Sequence, residues 1–244
     1  MNIALVFAGG IGKRMNNNGL PKQFLDVYGK PILVWTLEKF QNSKVIDHII
    51  LVMLESYIDL TTEIINKYNL TKVKSIVPGG KTGQESIYNG LKHVKYLQEK
   101  HVLKPDNAII FVHDGVRPFI TDDLLYACYN SVLNFGSAIA VAPAVETVIY
   151  MQDNQIKNIL NRSSCYHAKA PQCFYFNELY NCHILAIKNK LLDFVDSASL
   201  MTHYGYELHT IETNADNIKI TTPKDFYLMK ALLKAYENLS VIGI

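Results

Sequence analysis

The chain has 244 residues, of which 49% are hydrophobic and 19% are charged, and its formal net charge at pH 7 is +2. A chain of this length and composition can bury a sizeable core, which argues against a disordered protein and against a membrane protein. Lys and Arg number 24 against 22 Asp and Glu, without a long run of either sign, so nucleic acid is not an expected partner.

The first predicted strand covers residues 3–8 and is a short apolar run. It is far shorter than a membrane span, and no basic residue precedes it. We therefore expect neither an anchor nor a secretory signal, and we predict a cytoplasmic chain that makes no contact with a membrane.

A glycine-rich segment follows this strand directly, with the sequence Ala-Gly-Gly-Ile-Gly-Lys-Arg-Met over residues 8–15. Glycines let backbone amides approach a phosphate chain that side chains would block. A dinucleotide fingerprint would need glycine at Met15, and a Walker A loop would need Ser or Thr at Arg14, so neither motif is present. Arg14 and, further on, Lys22 supply the positive charge that a pyrophosphate leaving group requires. A turn that only reverses the chain is the alternative.

The rest of the chain alternates short β-branched runs with stretches of helical period, the pattern of a sheet covered by helices on both faces. Further strands are predicted over residues 48–53, 74–77, 108–112, 137–142, 207–212 and 218–220. Helices are predicted over residues 31–41, 56–68, 84–98, 121–134, 177–189 and 223–235. These elements predict an α/β protein.

A second glycine corner, at Gly79 and Gly80, follows the strand predicted over residues 74–77. It lies at the carboxyl end of that strand, which is where open α/β sheets bind ligands. Glu85 and Ser86 then open a helix and offer polar groups to a base or a phosphate, although helix capping explains Ser86 equally well.

Asp114 is the candidate metal ligand. It follows the strand predicted over residues 108–112 and precedes a glycine, so its carboxylate is expected in the same cleft as the two glycine loops. A hard cation that bridges phosphate oxygens needs an oxygen ligand of this kind. A salt bridge to Arg117 is the structural alternative. His113 is interpreted as structural, because a phosphate nucleophile is already ionised and needs no base.

One segment interrupts the alternation of strands and helices. Residues 145–150 and 155–160 are strand-like runs joined by a polar turn, which predicts a β-hairpin. A projecting hairpin needs a partner to cover its apolar face, so we expect a dimer. A hairpin that folds back on its own domain is the alternative.

Near the end of the chain, Lys219 is placed to face the cleft, and Thr222 followed by Pro223 is typical of a helix start. Asp216 is either a second metal ligand or a turn residue.

These motifs together resemble the sugar-alcohol phosphate cytidylyltransferases, a family that includes the methylerythritol phosphate and the ribitol phosphate enzymes. The resemblance covers residues 3–233. It rests on one ordered set of motifs: Ala-Gly-Gly-x-Gly-x-Arg-Met, Pro-Lys-Gln, Gly-Gly before Glu-Ser, His-Asp-x-Val-Arg-Pro, Ala-Pro-Gln and Asn-Ile-Lys-x-Thr.

The resemblance implies a Rossmann-like nucleotidyltransferase domain with three layers and a mostly parallel sheet. This single domain would cover residues 1–240, with a β-hairpin arm at about residues 143–166 that is exchanged across a homodimer. It also implies CTP and a small polyol phosphate as substrates and Mg²⁺ as cofactor.

The resemblance also implies a role for each matching residue. Arg14 and Lys22 would stabilise the transition state, and Asp114 would hold the metal ion. The residues that bind the nucleotide would be Ala8, Gly9, Gly10, Gly80, Glu85 and Ser86. Those that hold the acceptor and its phosphate would be Thr147, Arg162 and Lys219, with Thr147 and Arg162 reaching the neighbouring subunit.

Three departures from the family pattern bear on the substrate. Gly83 replaces a frequent arginine, which concerns the nucleotide, while Ala170 and Val195 replace threonines of the methylerythritol phosphate enzymes on the acceptor side. Other segments are closer to the ribitol phosphate branch, so D-ribitol 5-phosphate is the expected acceptor, for a cell-wall or capsule polysaccharide precursor. The alternatives are 2-C-methyl-D-erythritol 4-phosphate in isoprenoid synthesis, another nucleotide, and a non-catalytic nucleotide-binding or assembly domain.

Overall fold

The structure is a computed structural model that describes residues 1–10, 20–103 and 107–242. Its strands are β1 (Asn2–Ala8), β2 (Asp26–Val27), β3 (Lys30–Pro31), β4 (His48–Met53), β5 (Val73–Pro78), β6 (Ile109–Asp114), β7 (Ser137–Pro143), β8 (Ile149–Gln152), β9 (Gln155–Ile159), β10 (Tyr166–Tyr175) and β11 (Thr210–Glu212). Its helices are α1 (Ile32–Asn42), α2 (Ile58–Lys67), α3 (Gly83–Glu99), α4 (Asp122–Phe135), α5 (Phe176–Lys188), α6 (Ser197–His203) and α7 (Pro223–Ile242).

Seven strands form the main sheet, in the order β11-β7-β10-β6-β1-β4-β5. The strands β6, β1, β4 and β5 run parallel, as do β7 and β11, whereas β10 is antiparallel to both of its neighbours. The predicted α/β class with a mostly parallel sheet is therefore confirmed. Because parallel strands end at the same edge, the segments that follow β1, β5 and β6 lie at one edge of the sheet.

Helices cover both faces of this sheet, because its central strands are apolar on both sides. On one face α1 and α4 pack through Leu37, Phe40 and Leu125, and on the other α3 and α5 pack through Leu91 and Leu179. The result is the expected three-layer arrangement, with β1 fully covered at its centre.

Two sequence predictions need correction. Residues 218–220 do not form a strand; they are an extended segment whose Ile220 amide donates to Val116 O at 2.9 Å, in the loop after β6. The prediction failed because β-branched residues such as Ile218 and Ile220 favour extended backbone whether or not a neighbouring strand pairs with it. The long strand β10 was not predicted, because Lys169 and Pro171 interrupt its apolar pattern.

The hairpin of β8 and β9 is confirmed, and it forms a sheet of its own. Asp153 and Asn154 at its tip both have positive φ, 50° and 59°, as a tight two-residue hairpin turn requires. Its strands are exposed throughout and carry large apolar side chains. We call residues 143–166 the arm.

None of the helices in the described residues combines the length and the apolar run needed to cross a membrane.

Candidate active site

A cavity of about 380 Å³ opens at the carboxyl ends of β1 and β6. We call it the glycine cavity; its lining includes Ala8, Gly9, Gly10, Lys22, Asp114 and Lys219. The ends of β1 and β6 lie close together: a Cβ atom added to Gly115 would lie only 2.7 Å from Cβ of Ala8. Only glycine at position 115 therefore allows the loop after β1 and the carboxylate of Asp114 to face one space.

Lys22 is held at this cavity by hydrogen bonds to two other segments of the chain. Its Nζ donates to Ile220 O at 2.8 Å, and Nε2 of the adjacent, buried Gln23 donates to Ala8 O at 2.7 Å. The turn Lys22–Phe24 is thereby fixed to the end of β1 and to the extended segment before α7. Lys22 thus lines the same cavity as Gly9 and Gly10, and its role in binding phosphate stays a prediction.

The side chains of Glu85 and Ser86 form hydrogen bonds with the backbone of the second glycine corner. Oγ of Ser86 accepts from Gly80 N at 3.0 Å, and a Glu85 carboxylate oxygen accepts from Lys81 N at 2.7 Å. Thr82 is the N-cap of α3 and accepts from Glu85 N at 3.1 Å. Gly80, Glu85 and Ser86 thus shape the corner next to Gly9, but in the described residues they do not line the glycine cavity.

Asp114 is buried and forms two ion pairs. Its Oδ1 lies 2.6 Å from Nζ of Lys219, and its Oδ2 lies 3.2 Å from Nε of Arg117. Burial alone would raise the pKa of Asp114, but the charges of Lys219 and Arg117 outweigh this and hold the pKa below its ordinary value. Asp114 is therefore a carboxylate at physiological pH. The salt bridge to Arg117, which was the structural alternative, is present, and the carboxylate residue also lines the cleft as predicted.

His113 is a structural residue, as the sequence predicted. Its ring is fully buried against Phe40, and its Nε2 lies 3.0 Å from Arg117 O. Burial lowers the pKa of His113 to about 4, so the imidazole is neutral near pH 7. It orients the backbone around Arg117 and lines neither cavity.

This edge offers one carboxylate for a metal ion, that of Asp114, and both of its oxygens are ion-paired in the structure. In the described ranges, no group of three or more His, Cys, Asp and Glu side chains could hold a metal ion alone. Mg²⁺ typically uses one or two carboxylates together with substrate phosphates, and Asp114 offers one carboxylate beside the glycine cavity. Asp216 lies outside this space, where its Oδ2 accepts from the Tyr236 hydroxyl at 2.7 Å.

A second cavity of about 280 Å³ adjoins the first. We call it the glutamine cavity; its lining includes Gln84, Gln172, His183, Ser197, Asp114 and Lys219. Asp114 and Lys219 line both cavities and therefore mark their boundary. Gly83, Ala170 and Val195 also line the glutamine cavity, so all three departures from the family pattern lie there.

Two glutamines, whose structural role the sequence did not predict, fix the wall of the glutamine cavity. Gln84 donates to Leu191 O at 2.9 Å and accepts from Phe194 N at 3.0 Å. Gln172 donates to Asp196 Oδ2 at 2.8 Å and accepts from Ala198 N at 2.9 Å. Each amide is thus bonded at both ends, and the loop between α5 and α6 is tied to α3 and to β10.

The remaining predicted residues lie elsewhere. Thr147 and Arg162 are exposed on the arm, where Nη1 of Arg162 donates to Val145 O at 3.3 Å, and neither lines a cavity of its own chain. Arg14 lies outside the described residues.

The segment that carries Lys219 is anchored by the start of α7. Oδ2 of Asp225 accepts from the backbone amides of Thr221 and Thr222, both at 2.8 Å. Partial burial would raise the pKa of Asp225, but the hydrogen bond from the Thr221 hydroxyl, at 2.7 Å, and those from the two amides hold the pKa below its ordinary value. The carboxylate is therefore a helix cap that depends on its charge.

We expect Asp225→Asn to destabilise the protein by about 1 kcal/mol at pH 7, because it removes this charge from the helix start. Since the folded-state pKa is lowered, the contribution is complete above the unfolded value of about 3.9 and is lost as the pH falls through the folded value. Urea unfolding of both proteins between pH 3 and pH 7 tests this. Asp123→Asn, an exposed acidic residue in the first turn of α4, is the control. An unchanged difference between wild type and Asp225→Asn across this range would contradict the assignment.

A glycine loop and two lysines beside a buried carboxylate, at the carboxyl edge of a mostly parallel sheet, define a nucleotidyltransferase of Rossmann-like fold. The chain belongs to the 2-C-methyl-D-erythritol 4-phosphate cytidylyltransferase (IspD) family, whose model matches residues 2–235. It is therefore an enzyme, a cytidylyltransferase, and the resemblance found in the sequence is confirmed.

Individual relatives show two branches of this family. The chain is 43% identical to a ribitol-5-phosphate cytidylyltransferase of Vibrio parahaemolyticus, with 100% of each chain covered. It is 37% identical to a 2-C-methyl-D-erythritol 4-phosphate cytidylyltransferase of Clostridium botulinum, over 96% of this chain and 97% of the relative. The crystal structure of 4-diphosphocytidyl-2C-methyl-D-erythritol synthase from Anaerococcus prevotii is similar, with a TM-score of 0.80, 26% identity and 96% of each chain covered.

Proposed function

We propose that the enzyme transfers CMP from CTP to D-ribitol 5-phosphate and releases CDP-ribitol and pyrophosphate. The observation that carries this proposal is the 43% identity, over the full length, to a ribitol-5-phosphate cytidylyltransferase, against 37% for the other branch. Ala170 and Val195 line the glutamine cavity where the methylerythritol phosphate enzymes resembled by the sequence have threonine, so the cavity wall differs from theirs at two positions. CDP-ribitol would serve as a precursor of cell-wall or capsule polysaccharide.

The two cavities suggest where each substrate binds. CTP would occupy the glycine cavity, with its phosphates against the amides of Gly9 and Gly10 and the ammonium group of Lys22. The polyol phosphate would occupy the glutamine cavity. Lys219 lines both cavities, so its ammonium group can hold the acceptor phosphate next to the α-phosphate of CTP.

The reaction then needs one bond to form and one to break. An oxygen of the acceptor phosphate attacks the α-phosphorus of CTP, the bond between the α- and β-phosphates breaks, and pyrophosphate leaves with the bonding electrons. The attacking oxygen is already ionised, so no proton has to be removed. Lys22, together with Arg14, would offset the negative charge that develops on the leaving group.

Asp114 would hold Mg²⁺ together with the phosphates of CTP. The ion would supply charge neutralisation at the transferred phosphate. Lys219 and Arg117 each contact one oxygen of the ionised Asp114 in the structure, so binding of the ion would replace or share one of these two ion pairs.

The arm supports a homodimer. Ile149, Tyr150, Met151, Ile156 and Ile159 are each between 41% and 62% exposed on a two-stranded ribbon. An isolated ribbon of this kind is at best marginally stable, and a second copy would cover its apolar side chains. Thr147 and Arg162, which lie on the arm, would then reach the partner's acceptor site.

A panel of acceptors tests the proposed substrate. With CTP and Mg²⁺, we expect kcat/KM for D-ribitol 5-phosphate to exceed that for 2-C-methyl-D-erythritol 4-phosphate at least about tenfold. A site that hydrogen-bonds the hydroxyl groups of its own acceptor discriminates strongly against an analogue that leaves its polar groups unpaired. Pyrophosphate release at several concentrations of each acceptor gives this ratio. A clear preference for 2-C-methyl-D-erythritol 4-phosphate would assign the enzyme to the other branch.

The same assay, run with CTP, UTP, ATP and GTP, tests the nucleotide. CTP should be preferred, and a preference for ATP or GTP would contradict the proposal. No release with any pair of substrates would favour a non-catalytic domain.

A further inference from the structure

The glutamine cavity contains two buried polar atoms that have no hydrogen-bond partner. His183 is 1% exposed and Ser197 is 2% exposed, and both residues line this cavity. Nε2 of His183 and Oγ of Ser197 are buried, and neither has a partner among the residues that the structure describes. A buried polar atom without a partner costs about 1–3 kcal/mol, and of the seven such atoms in the described residues these two belong to residues that line one cavity.

The surroundings of Ser197 show that its hydroxyl is held in place. Asp196 caps α6 through a 2.8 Å bond from Ser199 N to its Oδ1, and Gln172 accepts from Ala198 N. The residues on both sides of Ser197 are therefore anchored. Its Oγ has no hydrogen-bond partner in the described residues, and the residue lines the cavity.

His183 is suited to an uncharged group. Its ring lies parallel to Tyr88, with 5.9 Å between the ring centroids, and burial lowers the pKa of His183 to about 4. A neutral imidazole forms hydrogen bonds with a hydroxyl without a large electrostatic contribution. The cations of this cavity, Arg117, Lys169 and Lys219, are separate groups that suit the acceptor phosphate.

We propose that Nε2 of His183 and Oγ of Ser197 hydrogen-bond hydroxyl groups on the carbon chain of the acceptor and thereby select a polyol phosphate. The inference deepens the proposed function and rests on it, since it takes the glutamine cavity as the acceptor site. The physical basis is that a site with unpaired polar groups discriminates strongly against an analogue that lacks the matching hydroxyl.

The test compares Ser197→Ala and His183→Phe with wild type, using the polyol phosphate that the wild-type enzyme turns over fastest. We expect KM for the acceptor to rise about 3- to 10-fold in each variant, since each loses one hydrogen bond. KM for CTP should stay within about twofold, because the glycine cavity is unchanged. His183→Gln places an amide near the position of Nε2 and should recover part of the loss.

Matched controls separate binding from folding. Ser131→Ala removes a buried serine hydroxyl outside this cavity, and His93→Phe removes a ring nitrogen that is buried without a partner but lines another surface pocket. Both should leave KM for the acceptor unchanged. Thermal unfolding shows which variants fold, and Ser197→Ala changes too little volume to endanger the fold.

Three outcomes are distinct. A rise in acceptor KM alone supports the inference. Unchanged acceptor KM in folded Ser197→Ala and His183→Phe overturns it while the proposed function stands. If the wild type prefers another polyol phosphate to D-ribitol 5-phosphate, the proposed acceptor is wrong, but the same variants measured with the preferred acceptor still decide the inference.

Discussion

Lys22→Ala is expected to lower kcat at least about 100-fold, since removing one group that stabilises transition-state charge typically costs a factor of 10² to 10³. Lys22 is only half-buried, and it lines the glycine cavity with its Nζ bonded to Ile220 O, so its removal opens no cavity in the apolar core. The melting temperature should therefore stay close to that of wild type. Steady-state pyrophosphate release with CTP and D-ribitol 5-phosphate gives kcat, and thermal unfolding gives the melting temperature.

Two further variants sharpen this prediction. Lys44→Ala removes an exposed lysine from the loop before β4, at the opposite edge of the sheet, and should leave kcat unchanged. Lys22→Arg keeps the charge but replaces a compact ammonium group with a planar fork, so it should restore little activity. Wild-type turnover by Lys22→Ala would refute the assigned role.

Mixing two inactive variants should restore activity if the arm completes the partner's active site. Arg162→Ala and Lys22→Ala are each expected to be nearly inactive as homodimers. A heterodimer of the two would contain one site with both changes and one site with neither. Because random pairing makes half of the dimers heterodimers, the mixture should recover about a quarter of wild-type activity.

This recovery depends on the arm reaching across the dimer. If Arg162 served the site of its own chain, every site in the mixture would carry one change, and activity would stay at the level of the variants alone. The two variants are coexpressed with different affinity tags, and pyrophosphate release is measured on the unpurified mixture and on the purified heterodimer, which should show about half of wild-type activity because one of its two sites is intact. A mixture of Lys44→Ala and Lys22→Ala is the control for subunit exchange.

Much of this site follows from the sequence, because it lies where strands end. Lys22, Asp114 and Lys219 each follow or adjoin a strongly apolar or glycine-rich segment, and the topology of a parallel sheet brings such positions to one edge. The tight turn of the arm was also readable, since Asp153 and Asn154 accept positive φ. Local patterns were sufficient for these residues.

Residues that act through tertiary contacts were not predictable in the same way. Gln84 bonds to the backbone at Leu191 and Phe194, more than 100 positions away, and no local pattern signals such a pairing. The same is true of His183. In the sequence it is a single histidine among the buried residues of α5, and only the fold shows that it lines a cavity. Glu85 and Ser86 differ from the prediction in another way. The sequence assigned them to the nucleotide, and in the structure their side chains accept hydrogen bonds from the backbone amides of Lys81 and Gly80.

The position of Gln84 has a thermodynamic consequence. This glutamine lies in the first turn of α3, directly before the residues that shape the corner next to Gly9, and its amide also holds the loop beside Val195. We therefore expect a displacement at the start of α3 to move the loop beside Val195 as well. By thermodynamic linkage, if bound CTP changes the affinity for the polyol phosphate by some factor, the bound polyol phosphate changes the affinity for CTP by the same factor.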